Sequence, residues 1–269
     1  MTSTMRRASA LLFCGLLLGA ALAASAGART ISAHGQLLQR SFNANQSTNW
    51  FGYNQGSLEL GGKQFNAITG DWTVPTATQH VSGQEAFSSD WIGIGGGCVD
   101  AGCMIGDGTL IQTGTEQDVD AAGRASYSAW WELIPGPSIT ITNMTVGAGD
   151  HMHSAIAEVV PGSNVWTITL QNVTRGQTFS TTVPYSSTHL TAEWIEETPL
   201  LIGTNAGFAA LPNLTNPAFT AATTNGANAN LQTSEQIFLT DSTGKVIGAP
   251  SAPNATRNGF NACAWATTC

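Results

Sequence analysis

The feature that most constrains the fold is a series of short segments in which Thr, Val, Ile and Trp alternate with other residues, each bounded by Gly, Asn, Asp or Pro. Alternation with a period of two is typical of strands with one buried face, and no segment has a convincing helical period. About ten such strands over roughly 220 residues predict one all-β domain, a sandwich or a barrel. The predicted strands are 67–74, 90–94, 109–114, 126–133, 139–146, 151–160, 165–172, 178–184, 191–196 and 236–239, and the segment 201–230 is predicted to form long loops with one or two strands.

The first residues have the pattern of a secretory signal peptide. Two arginines precede an apolar stretch, 11–23, which is short for a membrane span, and small residues follow it up to Ala26. We therefore expect residues 1–26 to be removed near Ala26 and the mature protein to be secreted, extracellular and without a membrane anchor. Residues 27–48 are predicted to form a short pro-segment or N-terminal arm, and residues 49–269 a single domain. The simplest expectation for such a protein is a monomer.

The chain is strongly acidic yet poor in charge. Charged residues make up 10% of it, against about 25% in an average protein. Cleavage after Ala26 removes two of the nine basic residues and no acidic one, so the mature formal charge is 7 − 17 = −10. This charge excludes nucleic acid as an expected partner. Because acid denaturation mainly protonates carboxylates that are paired in the fold, a chain with few ion pairs is predicted to tolerate acid.

Cysteine usage agrees with export. Without Cys14, which lies in the predicted signal peptide, four cysteines remain, and an even number in an exported chain favours two disulfides. Three pairings are possible. We favour Cys98–Cys103 and Cys263–Cys269, because both would be local links, and their spacing does not resemble a zinc site.

Strand parity allows several polar side chains to share one face of the predicted sheet, which the pattern alone does not establish. With a period of two, Gln112 shares a face with Leu110 and Gly114, Glu132 with Trp130 and Ser128, and Glu193 with Thr191 and Ile195. A carboxylate and a carboxamide on one cleft can together split an amide bond, the first as base and the second as oxyanion donor.

Two carboxylates across a cleft are also typical of glycosidases, with Glu132 and Glu193 as the candidates and Trp130 as a platform for a sugar. The residues alone do not decide between these chemistries. No G-x-S-x-G elbow is present. His151 and His153 share a strand face without an obvious third ligand, so we expect no metal site.

Eight short motifs follow one another in a characteristic order. In chain order they are Asn49-Trp50-x-Gly52, Gly70-x-Trp72-Thr73-Val74-Pro75, Trp91-Ile92-Gly93-Ile94-x-Gly96, Leu110-Ile111-Gln112-Thr113-Gly114, Tyr127-x-Ala129-Trp130-x-Glu132, Ala148-Gly149-Asp150, Gln171-Asn172-Val173-Thr174-Arg175-Gly176-Gln177 and Ala192-Glu193-Trp194-Ile195-x-Glu197. The set resembles the glutamic peptidases (eqolisins, peptidase family G1), best known from filamentous fungi. The resemblance covers about 49–197, with a looser match beyond, and the signal and cysteine positions suggest a bacterial branch.

The resemblance implies a lectin-like β-sandwich of two antiparallel, bent multi-stranded sheets and an acid-active endopeptidase that pepstatin does not inhibit. It implies Glu193 as the base that activates water and then as the acid, and Gln112 as the group that stabilises the oxyanion. It implies protein or peptide substrates, no metal and no cofactor. The family's cleft-lining positions fall on Trp50, Trp91, Trp130 and Glu132. A non-catalytic, lectin-like binding protein on the same scaffold is the main alternative.

Two positions depart from the pattern of many fungal members. Gly95 stands where they carry an aspartate after W-x-G-I, and Ser128 where they carry the aspartate of Y-D-A-W. Because both acids lie near the catalytic pair in the family, their loss predicts a less strongly acid optimum or a reliance on other acids.

Overall fold

The computed structural model describes residues 31–33, 37–41, 43–202 and 206–269. The predicted signal peptide and its cleavage site lie outside the described residues. Within them, no helix is long and apolar enough to cross a membrane. The helical structure described is one 3-10 turn, Thr233–Glu235. The strands are β1 Ile31–Ala33, β2 Gln46–Ser47, β3 Trp50–Gly56, β4 Ala67–Thr73, β5 Ala77–Thr78, β6 Ala86–Gly95, β7 Leu110–Val119, β8 Ala125–Leu133, β9 Ile139–Thr140, β10 His151–Glu158, β11 Val165–Asn172, β12 Gln177–Pro184, β13 Thr191–Glu197, β14 Leu200–Ile202, β15 Gly207–Phe208, β16 Asn213–Leu214, β17 Ala218–Thr224, β18 Ala227–Asn228, β19 Gln236–Thr240, β20 Val246–Pro250 and β21 Phe260–Ala264.

The strands form two packed sheets that are joined along one edge. The front sheet has the order β19-β3-β13-β6-β7-β8-β9 and the back sheet the order β12-β11-β10-β4-β17-β21, with β20 linking β19 to β21. The pairings are antiparallel except for β2, which runs parallel to β19. This architecture confirms the predicted all-β sandwich of two multi-stranded, antiparallel sheets.

The main core lies between the two sheets and is formed by the side chains that point inward from alternate positions of their strands. The back strands β10 and β11 bury every second residue, while the front sheet contributes the inward face of β6, β7 and β13. Two tryptophans also bond across the interface: Trp72 donates from Nε1 to the hydroxyl of Thr115 at 2.8 Å, and Trp194 donates to the carbonyl of Thr69 at 2.8 Å. Both indole N–H groups are therefore satisfied inside the core.

The outward face of the front sheet carries a second apolar cluster. It consists of Trp50, Trp91, Leu110, Trp130, Ile195 and Ile237. Residues 37–41, which belong to the predicted N-terminal arm and are called the arm below, cross this face, and Leu37 and Leu38 pack against the cluster. The arm thus covers part of the outer face of the front sheet.

Two predicted strand assignments were wrong. The segment 139–146 is a strand only at β9, because the chain turns away after Thr140. The segment 201–230, predicted as loops with one or two strands, holds parts or all of five short strands, β14 to β18, although residues 203–205 are not described. These strands are two to seven residues long, so alternation is too brief within most of them to be detected in the sequence.

Candidate active site

The predicted catalytic residues lie in one row across the front sheet. In the strand register Asn54 of β3 is opposite Glu193 of β13, which is opposite Gly93 of β6. Gly93 is opposite Gln112 of β7, which is opposite Glu132 of β8. Directly paired residues point to the same face of a sheet. The parity argument from the sequence is therefore correct for the glutamine and both glutamates.

A glycine separates the glutamate from the glutamine. Strands lie about 4.8 Å apart, so the backbones of Glu193 and Gln112 are about 10 Å apart. Gly93 fills the place between them without a side chain. A Cβ at this position would come within 2.9 Å of both Leu110 Cδ1 and Trp91 Cζ3. Between the carboxyl group of Glu193 and the carboxamide of Gln112, β6 therefore contributes no side chain, and Leu110 and Trp91 pack over the glycine.

Gln112 is held by Glu132. Its Nε2 donates to Glu132 Oε2 at 3.0 Å. Burial raises the pKa of Glu132 to about 9, and the charge of Glu197 contributes to this rise, whereas the hydrogen bond from Gln112 lowers the pKa. Glu132 is therefore protonated in acid and neutral solution. One N–H hydrogen of Gln112 is used in this bond, and its Oε1 has no hydrogen-bond partner among the described residues.

Glu193 is fully buried. Neither of its carboxyl oxygens makes a hydrogen bond of standard geometry to a described residue. Burial raises the pKa of Glu193 well above its ordinary value. The nearby Thr191 hydroxyl lowers this pKa, and the charge of Asp107 raises it further. A buried acid that lacks a cation and has a raised pKa is a candidate for proton transfer.

The three predicted cleft tryptophans also lie on this face. Trp50, Trp91 and Trp130 are buried in the outer cluster, and the rings of Trp50 and Trp91 meet edge to face at 4.8 Å. Trp91 donates from Nε1 to Glu197 Oε2 at 2.9 Å, and Trp130 donates to the hydroxyl of Ser89 at 3.0 Å. Their role towards a substrate stays a prediction.

The arm covers the row. The backbone N–H of Leu38 donates to the carbonyl of Gly96 at 3.0 Å, just beyond the end of β6. The chain then turns back, since Thr48 donates to the carbonyl of Gln39 at 2.9 Å. Because Leu37 and Leu38 pack on the tryptophan cluster beside Glu193 and Gln112, the described conformation leaves the row closed to solvent.

The two departures from the family pattern have structural explanations. Gly95 has φ +97°, and a Cβ there would collide with the carbonyl oxygen of Thr109, so an aspartate does not fit this turn. Ser128 lies opposite Glu116 in the register and donates from its hydroxyl to Glu116 Oε2 at 3.0 Å. A glutamate on β7 thus supplies the carboxyl group on this part of the face.

Both predicted disulfides are formed. Cys98–Cys103 closes a small hairpin directly after the glycine turn, and Cys263–Cys269 links β21 to the C-terminal segment. Among the described residues, no cluster of three His, Cys, Asp or Glu side chains suits a metal ion. His151 and His153 instead contact Asp71 on the back sheet, at 2.9 and 2.6 Å.

Sequence reasoning missed a second pair of carboxyl groups. Asp90 of β6 lies directly opposite Glu196 of β13, both fully buried, on the side of the front sheet that faces the core. Gln117 donates from Nε2 to Asp90 Oδ2 at 3.2 Å and to Glu196 Oε2 at 3.4 Å. Parity separates Glu196 from Glu193, but only the strand register shows that Asp90 is its neighbour.

The antiparallel sandwich and its buried glutamate–glutamine row agree with the family to which sequence comparison assigns the chain. The chain belongs to the Peptidase A4 family, whose model matches residues 48–257. It is 27% identical over 176 residues to aspergillopepsin-2 from Aspergillus niger, covering 58% of this chain and 57% of that protein. It is 29% identical over 144 residues to scytalidopepsin B from Scytalidium lignicola, covering 52% of this chain and 47% of that protein. The chain thus spans about half the length of these curated relatives.

Solved structures show the same fold. The crystal structure of scytalido-glutamic peptidase with a transition state analog inhibitor superposes with a TM-score of 0.60 at 19% identity, covering 81% of this chain and 98% of that one. Aspergilloglutamic peptidase from Aspergillus niger superposes with a TM-score of 0.52 at 22% identity, covering 66% of this chain and 99% of that one. At these identities the likeness concerns the fold.

Proposed function

We propose that this protein is a secreted, acid-active glutamic endopeptidase in which Glu193 and Gln112 split the peptide bonds of protein substrates. The observation that carries the proposal is the row Glu193–Gly93–Gln112, in which a glycine, without a side chain, separates a carboxyl from a carboxamide group. Family membership and the sandwich fold agree with it.

The chemistry follows from what these groups can donate and accept. The free oxygens of Glu193 and Gln112 Oε1 are buried acceptors, and a water bound between the two side chains would donate to them. Ionised Glu193 removes a proton from this water as it attacks the substrate carbonyl carbon. The N–H hydrogen of Gln112 that Glu132 does not use stabilises the negative oxygen of the tetrahedral intermediate. Glu193 then gives its proton to the leaving amine.

Glu132 acts on Gln112 in this proposal. Because Glu132 stays protonated, its contact with Gln112 adds no negative charge next to the oxyanion, and the 3.0 Å bond fixes the direction of the amide. The tryptophans Trp50, Trp91 and Trp130 provide apolar walls on which substrate side chains pack. No cofactor takes part in this mechanism.

The arm must leave for a substrate to enter. We propose that residues 27–48 act as a pro-segment whose part 37–41 occupies the substrate face until it is displaced or cut. The support is the packing of Leu37 and Leu38 on the outer cluster and the bond of Leu38 to Gly96. A backbone N–H that donates to a main-chain carbonyl on the substrate face is the kind of contact that an extended peptide makes.

The glycosidase alternative fits the row less well. Glu132 and Glu193 are three strands apart, about 14 Å between backbones, with the Gln112 side chain bonded to Glu132 between them. Glycosidase carboxyl groups lie about 5–9.5 Å apart across the sugar. A lectin-like binding protein on the same scaffold is the second candidate function.

Hydrolysis of casein between pH 2 and 7, with and without pepstatin, tests the proposal. We expect cleavage with an acid optimum that pepstatin does not affect. Glu193→Gln and Gln112→Ala each abolish it while thermal unfolding shows an intact fold. Gln84→Ala and Glu85→Gln make the same chemical changes at exposed positions and keep full activity. Robust cleavage by either row variant would refute the assignment, and glucan cleavage or binding without any cleavage would favour the alternatives.

A further inference from the structure

The segment that follows the glycine turn at the end of β6, residues 97–99, lies flat on the outward face of the front sheet. Two glycines make room for it. A Cβ on Gly56 of β3 would lie 2.7 Å from the carbonyl oxygen of Cys98, and a Cβ on Gly97 would lie 2.7 Å from Glu193 Oε1. The main chain of this segment therefore packs directly on β3 and β13, and Gly97 covers one oxygen of the proposed base.

A side-chain amide fixes this segment to the sheet. Asn54 of β3 donates from Nδ2 to the carbonyl of Cys98 at 2.9 Å, and its Oδ1 accepts from the N–H of the same cysteine at 3.0 Å. Asn54 is 3% exposed. One amide thus pairs both main-chain groups of Cys98, as a neighbouring strand would. The segment cannot leave the sheet without unpairing buried polar groups, which costs free energy.

The disulfide hairpin holds the same segment along its other edge. The N–H of Val99 donates to the carbonyl of Ile105 at 2.9 Å, and the N–H of Asp107 donates to the carbonyl of Gly97 at 2.8 Å. The main-chain groups of Cys98, which lies between these bonds, point away from the hairpin and towards Asn54. The Asn54 amide therefore links the hairpin that Cys98–Cys103 closes to the front sheet.

Asn54 is also the direct neighbour of Glu193. The two residues are paired in the register of β3 and β13, so their side chains lie on the same face. On the other side of Glu193, Gly93 of β6 contributes no side chain. Because neither oxygen of Glu193 makes a hydrogen bond of standard geometry to a described residue, packing sets the direction of its carboxyl group. Asn54 and Gly97 supply that packing on the side away from Gln112.

We propose that Asn54 is a positioning residue: it pins Gly97 and Cys98 against Glu193 and so directs the carboxyl group of Glu193 towards Gln112. This inference rests on the proposed function of Glu193 as base. A base without hydrogen-bond partners depends on its walls for its direction, and a displacement of about 1 Å costs up to about a hundredfold in rate.

Steady-state kinetics on a peptide substrate at acid pH test the role. In Asn54→Ala we expect kcat to fall at least about tenfold. We expect KM to stay within about twofold, because the tryptophans on which substrate side chains are proposed to pack belong to the next rows of the sheet.

Asn228→Ala is the matched control for this substitution. The Asn228 side chain also accepts from a main-chain N–H, that of Asn230, and donates to a main-chain carbonyl, that of Thr256, both at 2.8 Å. It is exposed and lies on β18, which pairs with β17 of the back sheet. Its loss removes the same kind of bonds far from the row and should leave kcat and KM unchanged.

Asn54→Asp separates positioning from a general loss of stability and also serves if Asn54→Ala folds poorly. A protonated carboxyl group can accept from the N–H of Cys98 and donate to its carbonyl, as the amide does, whereas an ionised one cannot donate. We expect kcat at about pH 3 to be within about threefold of the unmodified chain and to fall relative to it as the introduced group ionises. The titratable groups near this position, Glu193, Asp107 and Glu235, are present in both proteins, so the comparison cancels their own titration.

A reduction experiment does not depend on activity. Loss of the amide should loosen the hairpin, so that dithiothreitol reduces Cys98–Cys103 at least about fivefold faster in Asn54→Ala, the change in open population that about one buried hydrogen bond produces. Cys263–Cys269 lies on β21 and the C-terminal segment and is the internal control in the same chain. Both proteins also carry Glu193→Gln to prevent self-cleavage, and differential alkylation with mass spectrometry follows each pair.

The outcomes distinguish this inference from the proposed function. An active unmodified chain overturns the inference if Asn54→Ala keeps its kcat, if only KM changes, or if Asn54→Asp is as slow as Asn54→Ala at about pH 3. Equal reduction rates of Cys98–Cys103 with and without Asn54→Ala overturn it as well. An unmodified chain that cleaves no peptide overturns the proposed function instead, and faster reduction in Asn54→Ala then supports only the anchoring of the hairpin.

Discussion

The pair Asp90 and Glu196 makes a quantitative prediction about stability and pH. Burial, followed by the charge and hydrogen bond of Glu196, raises the pKa of Asp90 well above its ordinary value. Burial raises the pKa of Glu196 from 4.5 to about 7, against hydrogen bonds from Asp90, Ser88 and Gln117. Asp90 is therefore the protonated member and donates to Glu196, and the pair is stable as long as it does not carry two charges.

The sign of the effect follows from the direction of the shift. An acid whose pKa is higher in the folded state holds its proton more tightly there, so its stabilising effect is complete below the unfolded pKa and is lost as pH rises through the folded pKa. For Glu196 this window runs from about 4.5 to about 7. A difference of about 2.5 units at about 1.4 kcal/mol each amounts to roughly 3 kcal/mol of unfolding free energy.

Glu196→Gln removes this titration and keeps the shape of the side chain. The difference in unfolding free energy, variant minus the chain with Glu196, is expected to rise by about 3 kcal/mol from pH 4.5 to pH 7, so that the variant becomes relatively more stable. Urea unfolding followed by tryptophan fluorescence at both pH values measures it. Every protein in the experiment also carries Glu193→Gln, which prevents self-cleavage, and the chain with this substitution alone is the background.

Glu85→Gln serves as the matched control, because Glu85 is exposed and the same substitution there should not alter the pH dependence. If Glu196→Gln and the background lose stability in parallel between pH 4.5 and 7, the reasoning is refuted. Parallel loss would mean that Glu196 is already ionised at pH 4.5 or reaches water in the folded state.

Two further predictions concern the row and its cover. Gly93→Ala places a methyl group between Glu193 and Gln112, against Leu110 and Trp91, and should lower kcat/KM on casein at least tenfold at unchanged KM and fold. Gly106→Ala is the control, because its Cα has open space around it, and kcat/KM should not fall. Equal kcat/KM in both variants would contradict this reasoning. Leu38→Asp puts a charge on the outer cluster and should release the arm, so that casein hydrolysis at acid pH begins without the lag expected of the unmodified chain. Leu58→Asp, at an exposed position, should keep the lag. The same lag in all three proteins would show that the arm does not cover the row.

The fold and the row were predictable because both depend on a period of two. Alternation predicts the long strands β4, β10 and β11 to within two residues. Parity showed only that Gln112, Glu132 and Glu193 could share one face, and the strand register confirms that they do. Alternation does not determine which strands are neighbours. The order β3-β13-β6-β7-β8, which makes Glu193 and Gln112 second neighbours across Gly93, follows from tertiary packing of segments that are far apart in the chain.

The features that the sequence analysis did not predict depend on contacts between distant segments. Nothing local marks Asn54 as a neighbour of Cys98 and Glu193, since the three residues meet only through the register of β3 with β13 and the path of the hairpin. The covering of the row by Leu37 and Leu38 is of the same kind. Turn geometry at Gly95 explains the missing aspartate only when its φ of +97° is known, because a glycine in sequence is equally compatible with a strand.

The acid tolerance expected from the sequence acquires a different physical basis in the structure. The sequence predicts acid tolerance because few stabilising ion pairs would be lost when carboxyl groups become protonated. The structure buries nine of the 17 acidic side chains, and burial raises the pKa of several of them, to about 7 for Glu196 and Glu235 and to about 9 for Glu132. Each of these groups is neutral in acid and costs free energy when it ionises in the interior. Neutral solution is therefore the condition in which these buried groups destabilise the fold, whereas Asp71, Asp150 and Glu158, whose pKa values are lowered, contribute stability that is lost in acid.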